Sequence, residues 1–211
     1  MVKAKIVIAT KNRGKVAEFR QIMGDLGILD KIDILSLADF PDYPDVEENG
    51  TTFTENALIK ARAAASFTGL ICAADDSGIE VDALDGAPGV RSARFAGPAA
   101  TDDENNEKLL ALLADIHEKG REARFVAVIA LAAPDGREVT VRGECRGTVT
   151  HAPRGAGGFG YDPVFYYPPL GMTYAEMSDS EKGKISHRGR AIEALCRVLP
   201  DFLGGRVCPR C

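Results

Sequence analysis

The chain is short of the residues that several large protein classes require. Among its 211 residues are only three histidines, His117, His151 and His187. That leaves little room for a zinc centre, and no Ser-His-Asp arrangement of a nucleophilic hydrolase is visible. No apolar run approaches the ~20 residues that span a bilayer. The opening MVKAKIVIATKNRGK has only IVIA as an apolar core, followed at once by Lys11, Arg13 and Lys15. It reads as a first strand, not a secretion signal. Positive charge is not in excess. The formal net charge of -5 argues against bulk electrostatic binding of nucleic acid. It leaves room for a small anion held in a local basic pocket. The five cysteines are odd in number and scattered, unlike a secreted disulfide framework, so the cytoplasm is the expected compartment. Internal repeats and low-complexity segments are absent.

What is present is an ordinary globular composition, 45% hydrophobic and 27% charged, long enough for one large domain or two closely joined lobes. Residues 5–9, KIVIA, form a β-branched run. TKNRGK then turns, and Val16, Phe19, Ile22, Met23 and Leu26 fall on a helical stripe. A second strand is expected at 31–37, and an acidic, proline-rich loop at 41–50. Thr52 with Glu55, and Thr101 with Glu104, are capping-box pairs ahead of two helices. Leu109, Leu110, Leu112, Leu113 and Ile116 are read as the apolar face of the second. GLICAA (69–74) reads as a buried strand ending at Asp75-Asp76, with GIEVDAL as a separate, half-exposed strand. ARFVAVIALAA and REVTVRGECRGTVT flank PDG as a hairpin. A last helix carries Ile192, Leu195, Cys196 and Leu199, with Pro200 expected to stop it. The class is α/β with a mixed sheet, the hairpin forming a second lobe.

Four clusters carry chemistry. TKNRGK (10–15) precedes a helix whose free N–H groups and positive dipole end suit phosphate; it also fits a capped basic surface turn. It is not a Walker A loop, because Val16 follows the Gly-Lys pair. Glu47-Glu48 and Asp75-Asp76 offer the oxygen ligands that Mg²⁺ prefers. Glu47-Glu48 alone reads as a solvated charge run, whereas Asp75-Asp76 beside an apolar strand carries a desolvation cost. EKGKISHRGR (181–190) gathers Lys182, Lys184, His187, Arg188 and Arg190 just ahead of the last helix, either as a basic face or as a convergent clamp. GGFGYDPVF (157–165) concentrates glycines, the residues for positive φ or close ligand approach. Phe159 or Tyr161 offers a ring for a base there, and Asp162 an acceptor; a tight turn over a core aromatic is the alternative. Together the four describe a nucleoside triphosphate site with hydrolytic chemistry.

The blocks ATKNRGKVAEF, EENGTTFTENALIKA, ADDSGIEVDALDGAPGVRSARFAG, GGFGYDPVF, TYAEM and EKGKISHRGRA, in this order from about Ile6 to Leu199, resemble the Ham1/inosine triphosphatase family. The resemblance implies an elongated mixed β-sheet flanked by helices, two lobes with a central cleft, and a homodimer. It implies a single pyrophosphatase domain over residues 1–203, with 204–211 as a C-terminal tail whose Cys208 and Cys211 have C-x-x-C spacing. It implies Mg²⁺-dependent hydrolysis of dITP, ITP and XTP to the monophosphate and pyrophosphate, with no nucleic acid or membrane partner. Thr10, Lys11, Asn12, Arg13, Gly14 and Lys15 would hold the triphosphate. Glu47, with the adjacent Glu48 as the alternative, and Asp76 would bind metal. Asp76 would also accept the proton of the attacking water, and Asp75 would support the metal or the water. Ser77, Phe159, Gly160, Tyr161, Asp162, Lys182, His187 and Arg188 would contact the nucleotide.

Overall fold

In the computed structural model, which describes residues 3–204, the opening run becomes strand β1, Ala4–Ile8, and its last three residues are buried. Helix α1, Arg13–Asp25, follows directly. Asn12 caps it by accepting from the Lys15 N–H at 3.0 Å, satisfying one of the orphan donors of the first turn. Its inward stripe, Phe19, Ile22 and Met23, is buried, and a fully buried side chain of that size contributes about 1.5–3 kcal/mol. Strand β2 is Ile32–Ser36. Helix α2, Phe53–Thr68, has the full capping box: Thr52 accepts from the Glu55 N–H, and the Glu55 carboxylate accepts from the Thr52 N–H. Its buried face is small, with Ala57, Ala61, Ala64 and Ala65.

Strand β3, Ile71–Val81, is followed by helix α3, Asp102–Leu112, again with its capping box, Thr101 and Glu104, in place. Strands β4, Glu122–Ala132, and β5, Glu138–Val149, make the expected hairpin. Short strands β6, Phe165–Tyr167, and β7, Met172–Thr173, come next. Helices α4, Asp179–Ile185, and α5, His187–Phe202, complete the fold. The seven strands form one sheet in the order β2-β1-β3-β4-β5-β6-β7. β1 is parallel to both neighbours, whereas β5, β6 and β7 pair antiparallel. The sheet is mixed, as expected. No helix among the described residues is long and apolar enough to cross a membrane.

The chain divides into two units. The first holds the residues up to Asp76, Ala127–Gly143, and the residues from Gly189 onward. Its core joins Ile6 and Ile8 of β1, Phe19 and Met23 of α1, Ala73 of β3, Ile129 and Leu131 of β4, and Ile192, Leu195 and Leu199 of α5. The second unit comprises Ser77–Val126 and Glu144–Arg188. Its core is built on Ile79, Val81, Leu109, Phe125, Phe165 and Tyr174.

Four expectations need correction. Asp75-Asp76 does not end a strand: β3 runs unbroken for 11 residues through both aspartates and on to Val81. Gly78 has a packing reason within the strand. A Cβ on Gly78 would lie 2.3 Å from Ser92 Oγ and 2.6 Å from the Gly89 carbonyl oxygen, so the glycine permits a close approach within the strand. Pro200 does not stop α5, which continues to Phe202; one missing donor within the final turn leaves too little helix to disrupt. His187, Arg188 and Arg190 do not precede the last helix but form its first turn. The leucine face of α3 is also incomplete. Leu112 is 50% exposed, while Asn105 and Asn106 are buried beside Leu109. The Cys208 and Cys211 pair lies outside the described residues.

Gly78→Ala tests the close approach. The added methyl must displace backbone, and the expected loss is about 1–3 kcal/mol of stability, read by urea unfolding. A midpoint equal to that of the unsubstituted chain would show that the contact relaxes freely.

Candidate functional site

In the first unit, the polar residues gather on consecutive positions of β3. Successive side chains of a strand point to opposite faces. Asp75 shares its face with Ala73, which packs in the core with α1, and it is met by Lys15 of α1: Nζ to Oδ2 is 2.6 Å. The Asp75 side chain is wholly buried, so this pairing offsets a large desolvation penalty. Asp76 points to the other face and meets Lys60 of α2, Nζ to Oδ1 at 2.8 Å. The same ammonium reaches Glu48 Oε2 at 2.9 Å, bridging two carboxylates. Asn56, one turn before Lys60, donates to Asp76 Oδ2 at 3.4 Å and accepts from the Gly50 N–H at 2.9 Å. It thereby ties the acidic loop to the helix.

The three bridged groups shift one another's acidity. Burial pushes the Asp76 carboxyl up to about 6, against the pull of Lys60, with the Glu48 charge adding to the rise. Burial also works upward on Glu48, but Lys60 and the hydrogen bond shared with Asp76 hold it below the usual carboxylate range. Burial would lower Lys60, yet the two carboxylates raise its pKa above the ordinary value. Of the glutamate pair, Glu48 is the one brought to Asp76; Glu47 is exposed. Lys60 was missed in the sequence, where it reads as one polar residue in an alanine-rich helix. The i, i+4 pair Asn56 and Lys60, on the same face as buried alanines, was the available signal.

The TKNRGK loop is split by the helix it starts. Asn12 and Lys15 are engaged as described, and Thr10 Oγ1 accepts from the Asn12 N–H at 3.1 Å. Lys11 instead forms an exposed pair with Asp45 at 2.6 Å. Lys11 and Arg13 border an open pocket of about 550 Å³ with Arg20, Leu37 and Tyr43.

In the second unit the glycine loop folds around Asp162. This buried carboxylate accepts from the Phe159 N–H at 2.8 Å and pairs with the buried Lys182 at 2.5 Å, both through Oδ2. Gly158, at φ 74°, is required here, because a Cβ would fall 2.0 Å from that oxygen. The Lys182 ammonium lies 4.7 Å from the centre of the Phe159 ring, and the Arg188 guanidinium lies 5.5 Å from it, within cation–π range. Arg188, 1% exposed, donates to Ser77 Oγ at 2.9 Å. His187 is buried and stacked on Phe125, with centroids 4.5 Å apart and planes 9° from parallel.

Two candidate residues of this loop are committed elsewhere. Tyr161 is 4% exposed and donates its hydroxyl to the Ser92 carbonyl at 2.8 Å, and burial raises its pKa. Its ring is core, whereas Phe159 is half-buried. Gly160 gives its N–H to Asp102 and receives the Asn106 amide on its carbonyl, so its backbone is held by α3. Within the basic cluster, Lys182, His187 and Arg188 are buried, whereas Lys184 and Arg190 are exposed. Asp76 and Ser77, the last residue of one unit and the first of the other, are neighbours in β3.

These features describe a mixed-sheet α/β protein with a buried polar cluster in each of its two units. The chain belongs to the Ham1 family, whose model matches residues 6–198. It is 50% identical over 200 residues to a dITP/XTP pyrophosphatase of Exiguobacterium sibiricum, covering 95% of this chain and 99% of that protein. It is 48% identical over 200 residues to a dITP/XTP pyrophosphatase of Streptomyces coelicolor, with the same coverage. Among solved structures, a HAM1 protein from Coxiella burnetii superposes with a TM-score of 0.84 at 44% identity, covering 94% of this chain and 99% of that one. The Staphylococcus aureus Ham1 protein gives 0.82 at 42% identity, with equal coverage.

The buried Asp162–Lys182 pair yields a stability prediction. Lys182→Met leaves a carboxylate buried without its ammonium, and a loss of about 3–5 kcal/mol is expected in urea unfolding. Adding Asp162→Asn should restore part of it. A double variant no more stable than Lys182→Met would show that the two groups are not energetically coupled.

Proposed function

We propose that the chain is a nucleoside triphosphate pyrophosphatase. It hydrolyses the non-standard purine nucleotides dITP, ITP and XTP to the monophosphate and pyrophosphate, and so cleanses the nucleotide pool. One observation carries the reading: two successive buried aspartates of β3 each hold a lysine from a different helix. Such an array presents cations for a polyphosphate and carboxylates for a metal on the same few residues.

The donor set fits Mg²⁺. Glu48 and Asp76 already flank a positive charge, the Lys60 ammonium, and both offer hard oxygen ligands. Among the described residues no group of three or more His, Cys, Asp or Glu could hold a metal alone. Phosphate oxygens of the substrate would complete the shell, as is usual for this ion. Bound there, Mg²⁺ would supply Lewis acidity and charge neutralisation at the phosphates.

The chain's own groups do the rest. The first N–H groups of α1, with Thr10 and Lys15, take the triphosphate. Asp75 fixes the Lys15 ammonium, and Lys60 offsets part of the repulsion between Glu48 and Asp76. Asp76 takes the proton of the water that attacks the α-phosphorus, and pyrophosphate departs. Phosphoryl transfer needs this positioning and charge balance more than covalent chemistry. Phe159 gives the base a stacking face, with Ser77, Lys182, His187 and Arg188 around it. Donors facing O6 favour a 6-oxo purine, because a 6-amino group would set donor against donor, at about 1–3 kcal/mol for each buried group left unpaired. The same reading makes the protein a cytoplasmic homodimer acting on free nucleotides. The buried thiols of Cys72, Cys145 and Cys196 suit a reducing compartment.

Product analysis over a panel of triphosphates with Mg²⁺ tests this directly. Pyrophosphate release from dITP, ITP and XTP, well above that from dATP, is expected; orthophosphate as the first product would overturn the bond assignment. Asp76→Asn should lower kcat by about a hundredfold or more while nucleotide binding persists. Lys15→Ala should weaken triphosphate binding more than monophosphate binding, measured by calorimetry. Equal losses for the two ligands would remove Lys15 from the distal phosphates.

A further inference from the structure

Helix α3 grips the glycine loop from outside. Asp102 Oδ2 accepts from the Gly160 N–H at 2.7 Å, and Asn106 Nδ2 donates to the Gly160 carbonyl at 3.0 Å. The two side chains stand one turn apart on one face of the helix. They hold the peptide groups on either side of the Gly160 Cα, at φ 63°. The preceding residue is Phe159, whose own N–H is held by Asp162. Both peptide groups of Phe159 are therefore fixed, one from within the loop and one from α3.

Packing does not explain Asn106. It is 4% exposed, and its Oδ1 has no hydrogen-bond partner among the described residues. A buried acceptor without a donor is unfavourable, and leucine would fill the same space without it. What the amide contributes is the bond to Gly160.

We propose that Asn106, assisted by Asp102, is a positioning residue for base recognition, setting the Phe159 ring against Lys182 and Arg188. This rests on the reading above that Phe159 stacks the base. Neither α3 residue touches the reacting phosphates, so their loss acts on recognition and leaves the chemical step intact. With the clamp released, the ring samples other positions, and the selectivity between 6-oxo and 6-amino purines falls.

Asn106→Leu separates positioning from structure. The substitution removes the unpartnered oxygen, and the half-buried Gly160 carbonyl can turn to water, so the melting temperature should hold or rise. KM for dITP should increase roughly three- to ten-fold, the size of one hydrogen bond, with kcat little changed and the dITP-to-dATP preference reduced by a similar factor. In a double-mutant cycle with Phe159→Ala the two effects should be non-additive, because Asn106 acts through that ring. Wild-type KM and preference in Asn106→Leu, or additive effects in the cycle, would overturn the proposal. Amide hydrogen exchange over residues 157–163 reads the clamp without turnover. Faster exchange in the variant supports it and unchanged exchange refutes it, even if the unsubstituted protein hydrolyses none of the panel, a result that would sink the functional reading alone. Should Asn106→Leu not fold, Asp102→Ala frees the other side of Gly160, and the same rise in KM and in exchange is expected.

Discussion

The buried polar centre of the first unit depends on neutralising two adjacent carboxylates in the interior of a strand. Asp75 and Asp76 lie on opposite faces of β3, and neither could stay charged there alone. Lys15 answers one from α1, and Lys60 answers the other from α2. The helices therefore do more than cover the sheet: each delivers a cation to a fixed depth. Asn12 starts α1 at the register that places Lys15, and the Thr52–Glu55 box does the same for α2 and Lys60. A local hydrogen bond at a helix start thus decides where a charge arrives several residues later.

In the second unit the analogous centre is Asp162. It anchors Lys182 and shapes the glycine loop at once, so the cation and the half-buried Phe159 are placed by one carboxylate. Gly158 has no side chain because that carboxylate occupies its place. The backbones of Gly158 and Gly160 are explained from inside the protein, by Asp162 and α3.

Much of this was legible in the sequence, for reasons that differ from residue to residue. The capping boxes at Thr52 and Thr101 and the Asn12 cap are local, so four residues contain the whole interaction. The mixed sheet followed from alternating periodicities and one hairpin signal. Asp75 and Asp76 stood out because charge beside an apolar run demands a partner. Their place within the strand did not, because the change from a continuous apolar run to an alternating one reads as two strands, and the close approach of Ser92 and Gly89 to Gly78 is tertiary. Lys60 was silent: a lysine on a helix ordinarily belongs to solvent, and only the fold brings it between Glu48 and Asp76. That Tyr161 rather than Phe159 is fully buried, and that Glu48 rather than Glu47 meets Lys60, are likewise tertiary. In each pair, near-identical side chains sit one or two positions apart, and only the direction in which the loop turns distinguishes them.

The alanines of α2 have an effect beyond helix propensity. Ala57, Ala61, Ala64 and Ala65 are fully or nearly fully buried, so the helix axis rides close to whatever it covers. Lys60 adjoins Ala61 on that helix, and its stem must be just long enough for the gap they leave. Any larger residue at Ala57 or Ala61 would widen the gap, and the ammonium would fall short of its carboxylates while most apolar contacts survived. Methyl-sized side chains thus act as spacers, setting the electrostatics of the centre by thickness alone.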